Sequence, residues 1–292
     1  MNNKRADITT QQIVILIILI TSFVVILIFL FALNFGKTSE KEICHNSVVT
    51  RGTNVLPGES IPLNCKTSYI CITKDGTCEK MSGTYEKKTA KKTKEEVYSI
   101  LANEMADCWW IFGEGKINYV GKDFKSDLYC SICSQISFDN SLDMFENGEI
   151  DKKLFYNYLA KTNVSGKDTS YLEYLNGLAS ADAIEASLKN SNNSEFGKIN
   201  LAKQYYVIMG IFSETGVGQW TLSGAGAGMA VGLVVGGPIG VVIGGIVGGV
   251  GGHFVATIVK GDSKNNYLSP EIVEANSEDF EKLRCASIKT LG

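Results

Sequence analysis

GAGAGMAVGLVVGGPIGVVIGGIVGGVGG, residues 224–252, holds thirteen glycines and no charged residue. In water this is a poor helix, because each glycine costs roughly 0.8–1.0 kcal/mol against alanine in a helix interior. Its register nevertheless points to helix packing. Gly224, Gly228, Gly232, Gly236, Gly240, Gly244, Gly248 and Gly252 recur at every fourth position. In an α-helix that spacing gathers them into one smooth stripe, the small-xxx-small pattern by which membrane helices approach closely. Lipid also removes the water that competes for backbone hydrogen bonds, so a helix is enforced there despite glycine.

The uncharged run is longer than the quoted stretch and extends from Thr215 to Val259. A single helix over Thr221–Val259 would measure about 58 Å at about 1.5 Å per residue, nearly twice the roughly 30 Å hydrocarbon core. Gly236-Gly237-Pro238 lies near its middle, and proline breaks a helix interior but suits a first turn. The pattern predicts two helices, about 219–236 and 238–259, folded as a glycine-zipper hairpin with Trp220 and Lys260 at one interface. A re-entrant or conditionally inserting hairpin remains an alternative. Such hairpins also resemble segments of channel-forming and membrane-inserting proteins.

A second apolar block opens the chain. Residues from Ile8 to Gly36 carry no charge, and Ile13–Phe35 is dense in Ile, Leu, Val and Phe. It exceeds the 7–15 residues usual for the apolar part of a cleaved signal, and Ala32-Leu33-Asn34-Phe35-Gly36 is a poor cleavage site. A retained signal anchor is the expectation. Lys4 and Arg5 before it nearly balance Lys37, Lys41 and Arg51 after it, so charge does not orient it.

Cysteine does. Cys44, Cys65, Cys71, Cys78, Cys108, Cys130, Cys133 and Cys285 all follow the anchor, an even number that fits disulfides in an oxidising compartment. The N-terminus is then cytoplasmic and the remainder extracytoplasmic. A zinc reading competes through Cys130-Ser-Ile-Cys133, but there is one C-x-x-C, and His45 and His253 are not at ligand spacing. An Asp75-Gly76 hairpin would set Cys71 opposite Lys80 or Glu79, which disfavours a direct Cys71–Cys78 bridge.

Between the blocks, alternating and helical patterns predict an α+β ectodomain. SYICIT at 68–73 is β-prone, and Thr93-Lys94-Glu95-Glu96 forms a capping box before a helix that ends near Gly113. Lys116–Val120, Leu128–Phe138 and Ile199–Phe212 read as strands, and Leu154–Lys161 and Ser170–Leu175 as short helices. Trp109 and Trp110 are expected to close the helix's packing against the domain. The expected organisation is a cytoplasmic tail (1–12), a transmembrane anchor (13–35), a cysteine-rich β-module (36–85), a lysine-rich linker (86–94), an α+β ectodomain (95–216), the glycine-zipper membrane hairpin (217–260) and an extracytoplasmic tail (261–292).

Chemistry is sparse. With two histidines in 292 residues, no His-based triad or H-E-x-x-H site is apparent. The glycine run lacks the Gly-Lys-Ser/Thr ending of a phosphate loop. Carboxylate pairs such as Glu95/Glu96 and Glu278/Asp279 suit exposed faces, and the sequons at Asn163 and Asn192 only permit glycosylation. No catalytic residue, cofactor, metal site or nucleic-acid partner is expected. The expected partners are the lipid bilayer and either further copies of the chain or other membrane and surface proteins. The expected role is structural assembly at the cell surface, with a membrane-inserting or pore-forming role as the alternative and an envelope enzyme the least supported.

Lys4-Arg5-Ala6-Asp7-Ile8-Thr9-Thr10-Gln11-Gln12, followed by the long apolar helix, resembles the class III signal of archaeal type IV pilin-like proteins. The resemblance covers about 30 residues and implies processing after Ala6 and a retained helix used in assembly. Gln11 stands where bacterial relatives have Glu, and a C-terminal membrane hairpin is not a pilin feature. The anchored, disulfide-bearing ectodomain also looks like uncharacterised archaeal membrane-anchored surface proteins, which implies a compartment and no activity.

Overall fold

Helix α1, Thr10–Ala32, forms from Ile, Leu, Val and Phe with no charge. It is long and apolar enough to cross a membrane, as an anchor or as a signal sequence. Over residues 11–28 its side chains lie exposed round the helix, with Ile18 at 60% and Phe23 at 61%, so no polar face meets water. The computed structural model describes residues 10–32, 35–53, 62–120, 128–178, 180–182, 185, 196–212, 231–235, 241–247, 254–261 and 265–287. Two compact units result, Met1–Glu42 and Ile43–Gly292.

The second unit is α+β and is built on a mixed sheet. Its strands are β1 (Ser68–Thr73), β2 (Glu86–Thr89), β3 (Tyr129–Phe138), β6 (Gln204–Phe212), β7 (Val231–Val235), β8 (Val241–Val247), β9 (Phe254–Lys260), β10 (Asn266–Glu274) and β11 (Ala286–Ser287). The spatial order is β2-β1-β3-β6-β10-β9-β8-β7, and β11 also pairs with β3. β2, β1, β3 and β11 run parallel to one another, and from β3 through β6, β10, β9 and β8 to β7 each successive neighbour is antiparallel. A separate two-stranded ladder joins β4 (Glu149–Asp151) to β5 (Lys198–Asn200).

Both faces of the central sheet are covered, which explains why β6 reads as a nearly unbroken apolar run. Val207, Met209 and Ile211 join the larger core, and Ile208 and Phe212 the smaller one. Helix α3 (Lys94–Ile111) brings Leu101, Met105, Cys108 and Trp109 to the larger core, beside α4 (Lys152–Lys161) and α5 (Tyr171–Asn176). Leu128, Ile258, Leu268, Val273 and Leu283 fill the other face. There α6 (Glu278–Lys282) sets Phe280 against Tyr206, ring centroids 5.2 Å apart.

The capping box forms: Thr93 is the N-cap and its hydroxyl accepts from the Glu96 amide, while the Glu96 carboxylate accepts from the amides of Lys91 and Lys92. Trp109 is buried edge-on to Tyr267, and Trp110 stacks on His45 of α2 (Phe35–Thr53) at 4.2 Å. Helix α2 occupies much of the segment expected to open a β-module.

Three other expectations are corrected. Residues Lys116–Val120 form no strand, because Gly113, Glu114 and Gly115 all take positive φ and turn the chain so that Tyr119 packs on Phe112, 5.0 Å between ring centroids. Glu86–Thr89, expected within a solvated linker, pair as an edge strand, since a ladder needs backbone groups and not apolar side chains. The C-terminal hairpin is strand and not helix over its described residues. Val and Ile favour strands, glycine disfavours helix, and β10 offers β9 a ladder.

Candidate functional site

The described residues of the uncharged run form three antiparallel strands added outward from the core. β9 joins β10 through Lys260 opposite Asn266, Val259 opposite Tyr267 and Ile258 opposite Leu268. β8 adds to β9, with Ile243 opposite Ile258 and Val247 opposite Phe254. β7 adds to β8, with Val231 opposite Gly245 and Val235 opposite Val241. Gly232 lies directly opposite Gly244. The two glycines therefore share one face of a ladder, in place of one stripe of a helix. Gly224, Gly228, Gly236, Gly240, Gly248 and Gly252 lie outside the described residues.

The two ends of the sheet differ in chemistry. β2 carries Glu86, Lys87 and Lys88, with a 3.0 Å ion pair between Lys88 and Glu86. β7, Val-Gly-Leu-Val-Val, carries no charge. A strand edge presents a row of backbone N–H and C=O groups to any incoming strand, and lysine is a common way of blunting it. The described sheet is blunted at β2 and not at β7.

The cysteines hold the body on which this meander is mounted. Cys44–Cys65 ties α2 to the segment before β1, and Cys71–Cys78 closes the loop after β1. Cys108–Cys133 joins α3 to β3, and Cys130–Cys285 joins β3 to the tail beside β11. The pairs have Cα separations of 4.5, 5.7, 5.6 and 5.3 Å, within the usual range for disulfides. The Cys71–Cys78 pair corrects the expectation against it. β1 is paired by β2 and β3 and forms no tight hairpin with residues 77–80, so nothing sets Cys71 opposite Lys80.

A polar cluster that sequence reasoning missed lies inside the sheet–helix interface. Tyr156 of α4 donates to both carboxylate oxygens of Glu271, at 3.1 and 2.9 Å, and Lys152, one turn earlier, reaches the Ile272 carbonyl at 3.4 Å. All three residues are buried. Burial pushes the Glu271 carboxyl up and the Lys152 ammonium down, each opposed by the other's charge, and Asp279 adds to the field at Lys152. Glu271 follows Ser269 and Pro270, where the β10–β6 register shifts. Ser269 donates there to Asn176 and to the Leu175 carbonyl. The cluster fastens α4 and α5 to an irregular point of β10. The i,i+4 spacing of Lys152 and Tyr156 was legible, but not that a carboxylate about 115 residues later would meet them.

Among the described residues no group of three or more His, Cys, Asp or Glu side chains is placed to hold a metal ion. No family model, curated protein or solved structure matches the chain.

Proposed function

We propose that this is a membrane-anchored assembly protein of the cell surface. In this reading α1 holds it in the bilayer, the disulfide-bonded α+β body lies outside, and the uncharged strands make its contacts with like molecules. One observation carries the proposal: the sheet ends in an uncharged glycine- and valine-rich meander in a chain that also has a membrane-length apolar helix. Four disulfides support the extracytoplasmic placement of the body. The role invokes binding and scaffolding, with no catalytic step.

The absence of charge from Thr215 to Val259 favours a second reading, in which the meander enters the bilayer and lines a pore. Strands span lipid only when closed into a barrel, so this reading also requires several copies. Purified full-length protein in liposomes separates the two. Sealed vesicles with crosslinked oligomers are expected for the assembly role. Ion leakage that scales with protein content gives the pore reading precedence, and uncrosslinked monomers in sealed vesicles overturn both.

A further inference from the structure

We propose that β7 is the strand through which two copies of this chain pair, edge to edge and antiparallel. The inference rests on the assembly reading and gives it a defined surface.

β7 is the last strand in the order of the described residues, hydrogen-bonded on one side to β8. Among the described residues no strand pairs with its other side. In water such an edge is a template for another strand, and in lipid each unsatisfied group costs several kcal/mol. Either environment therefore selects for an incoming strand.

The contrast between the sheet's ends decides which strand. Head-to-tail growth would seat β7 of one copy on β2 of the next, and so set Val-Gly-Leu-Val-Val against Glu86, Lys87 and Lys88. The ammonium groups would lose hydration with no partner charge on β7. Pairing β7 with β7 avoids this. It also continues the antiparallel alternation already running through β10, β9, β8 and β7. Full overlap of Val231–Val235 on its own reversed copy sets Leu233 opposite Leu233, Gly232 opposite Val234 and Val231 opposite Val235. The contact is two-fold and self-complementary, so it closes at a dimer and does not propagate into a filament.

The test uses full-length protein in detergent micelles, with the loss of eight hydrogens from the eight cysteines as the mass signature of the native disulfides. Leu233→Cys is expected to form a covalent dimer under mild oxidation. Val235→Cys, opposite Val231 of the second copy, is expected to remain uncrosslinked. Val234→Lys is expected to weaken dimerisation tenfold or more in sedimentation. A dimeric wild type whose Leu233→Cys form stays uncrosslinked, with Val234→Lys without effect, overturns the edge pairing and leaves the assembly reading standing. That is the result if the chain's own residues 213–230 cover β7. A wild type that is monomeric in both micelles and liposomes overturns both. Amide exchange of the unaltered protein gives a readout free of variants: protection at 231–235 that falls on dilution to monomer supports the pairing, and protection unchanged by dilution overturns it.

Discussion

Glu114 sits at φ 54° between Gly113 and Gly115, in the turn that ends α3. Its carboxylate accepts from Lys116 at 2.8 Å, Lys167 at 2.9 Å and the Tyr174 hydroxyl at 2.7 Å. Burial alone would raise its pKa, but the hydrogen bonds from Lys116, Tyr174 and Lys167 outweigh burial and hold it at about 2 against an ordinary 4.5. The folded-state value is depressed, so the associated stability is fully present above pH 4.5 and is lost as pH falls towards 2. Urea denaturation at pH 7 and pH 3 should show Glu114→Gln costing about 1–2 kcal/mol at pH 7, since solvent screens part of the interaction, and clearly less at pH 3. A loss equal at both pH values would refute the linkage. The second residue-scale prediction concerns Tyr156→Phe, which leaves the buried Glu271 carboxylate without the donor at 2.9 Å. Removing one partner of a buried polar pair costs about 1–3 kcal/mol. A matching drop in the urea midpoint is the expected outcome, and Tyr158→Phe, at a partly buried ring on the same helix, should cost less.

Among the elements, the disulfides differ in how much chain they close. Cys130–Cys285 spans a sequence separation of 155, and Cys71–Cys78 one of 7. Chain entropy assigns about 5 kcal/mol to the first and about 2–3 to the second. Paired Cys→Ser replacements should therefore lower the denaturation midpoint roughly twice as far for 130/285 as for 71/78. Gly210 of β6 adds a steric prediction, because a Cβ there would lie 2.5 Å from Leu128 Cδ1 and 3.0 Å from the Tyr129 carbonyl oxygen. Gly210→Ala should destabilise the β3–β6 pairing by about 1–3 kcal/mol, measured as faster amide exchange in both strands. The local signals were legible: Thr93 and Glu96 mark the start of α3, alternation marks β3, and a β-rich apolar run marks β6. The glycine meander was not, and its register explains why. A series at every fourth residue is also a series of even period, so it satisfies one face of a strand as well as one face of a helix. What distinguishes the two is the partner strand β10, whose pairing with β9 no local pattern reports. The Cys71–Cys78 pair was hidden for the same reason, since β1 takes its partners from 86–89 and 134–138.

For the whole molecule, α1 and the disulfide-bonded unit make separable predictions. A chain lacking residues 1–36 should leave membranes on carbonate extraction, because α1 is the described helix with membrane-spanning length. Retention in the pellet would mean that the uncharged strands bind the bilayer themselves, and would favour the pore reading. The body should keep its four disulfides after that deletion, as read by the mass of the unreduced chain. The partners of Cys130 and Cys133 also set an order of events during synthesis. These two thiols emerge within a second of each other, yet the partner of Cys133, Cys108, is already out, and the partner of Cys130 is Cys285. At about 5–20 residues per second, 155 residues take about 8–30 s to translate. Through that interval Cys130 has no native partner while Cys133 lies three residues away, so faithful maturation depends on Cys285 arriving before the wrong bridge becomes fixed.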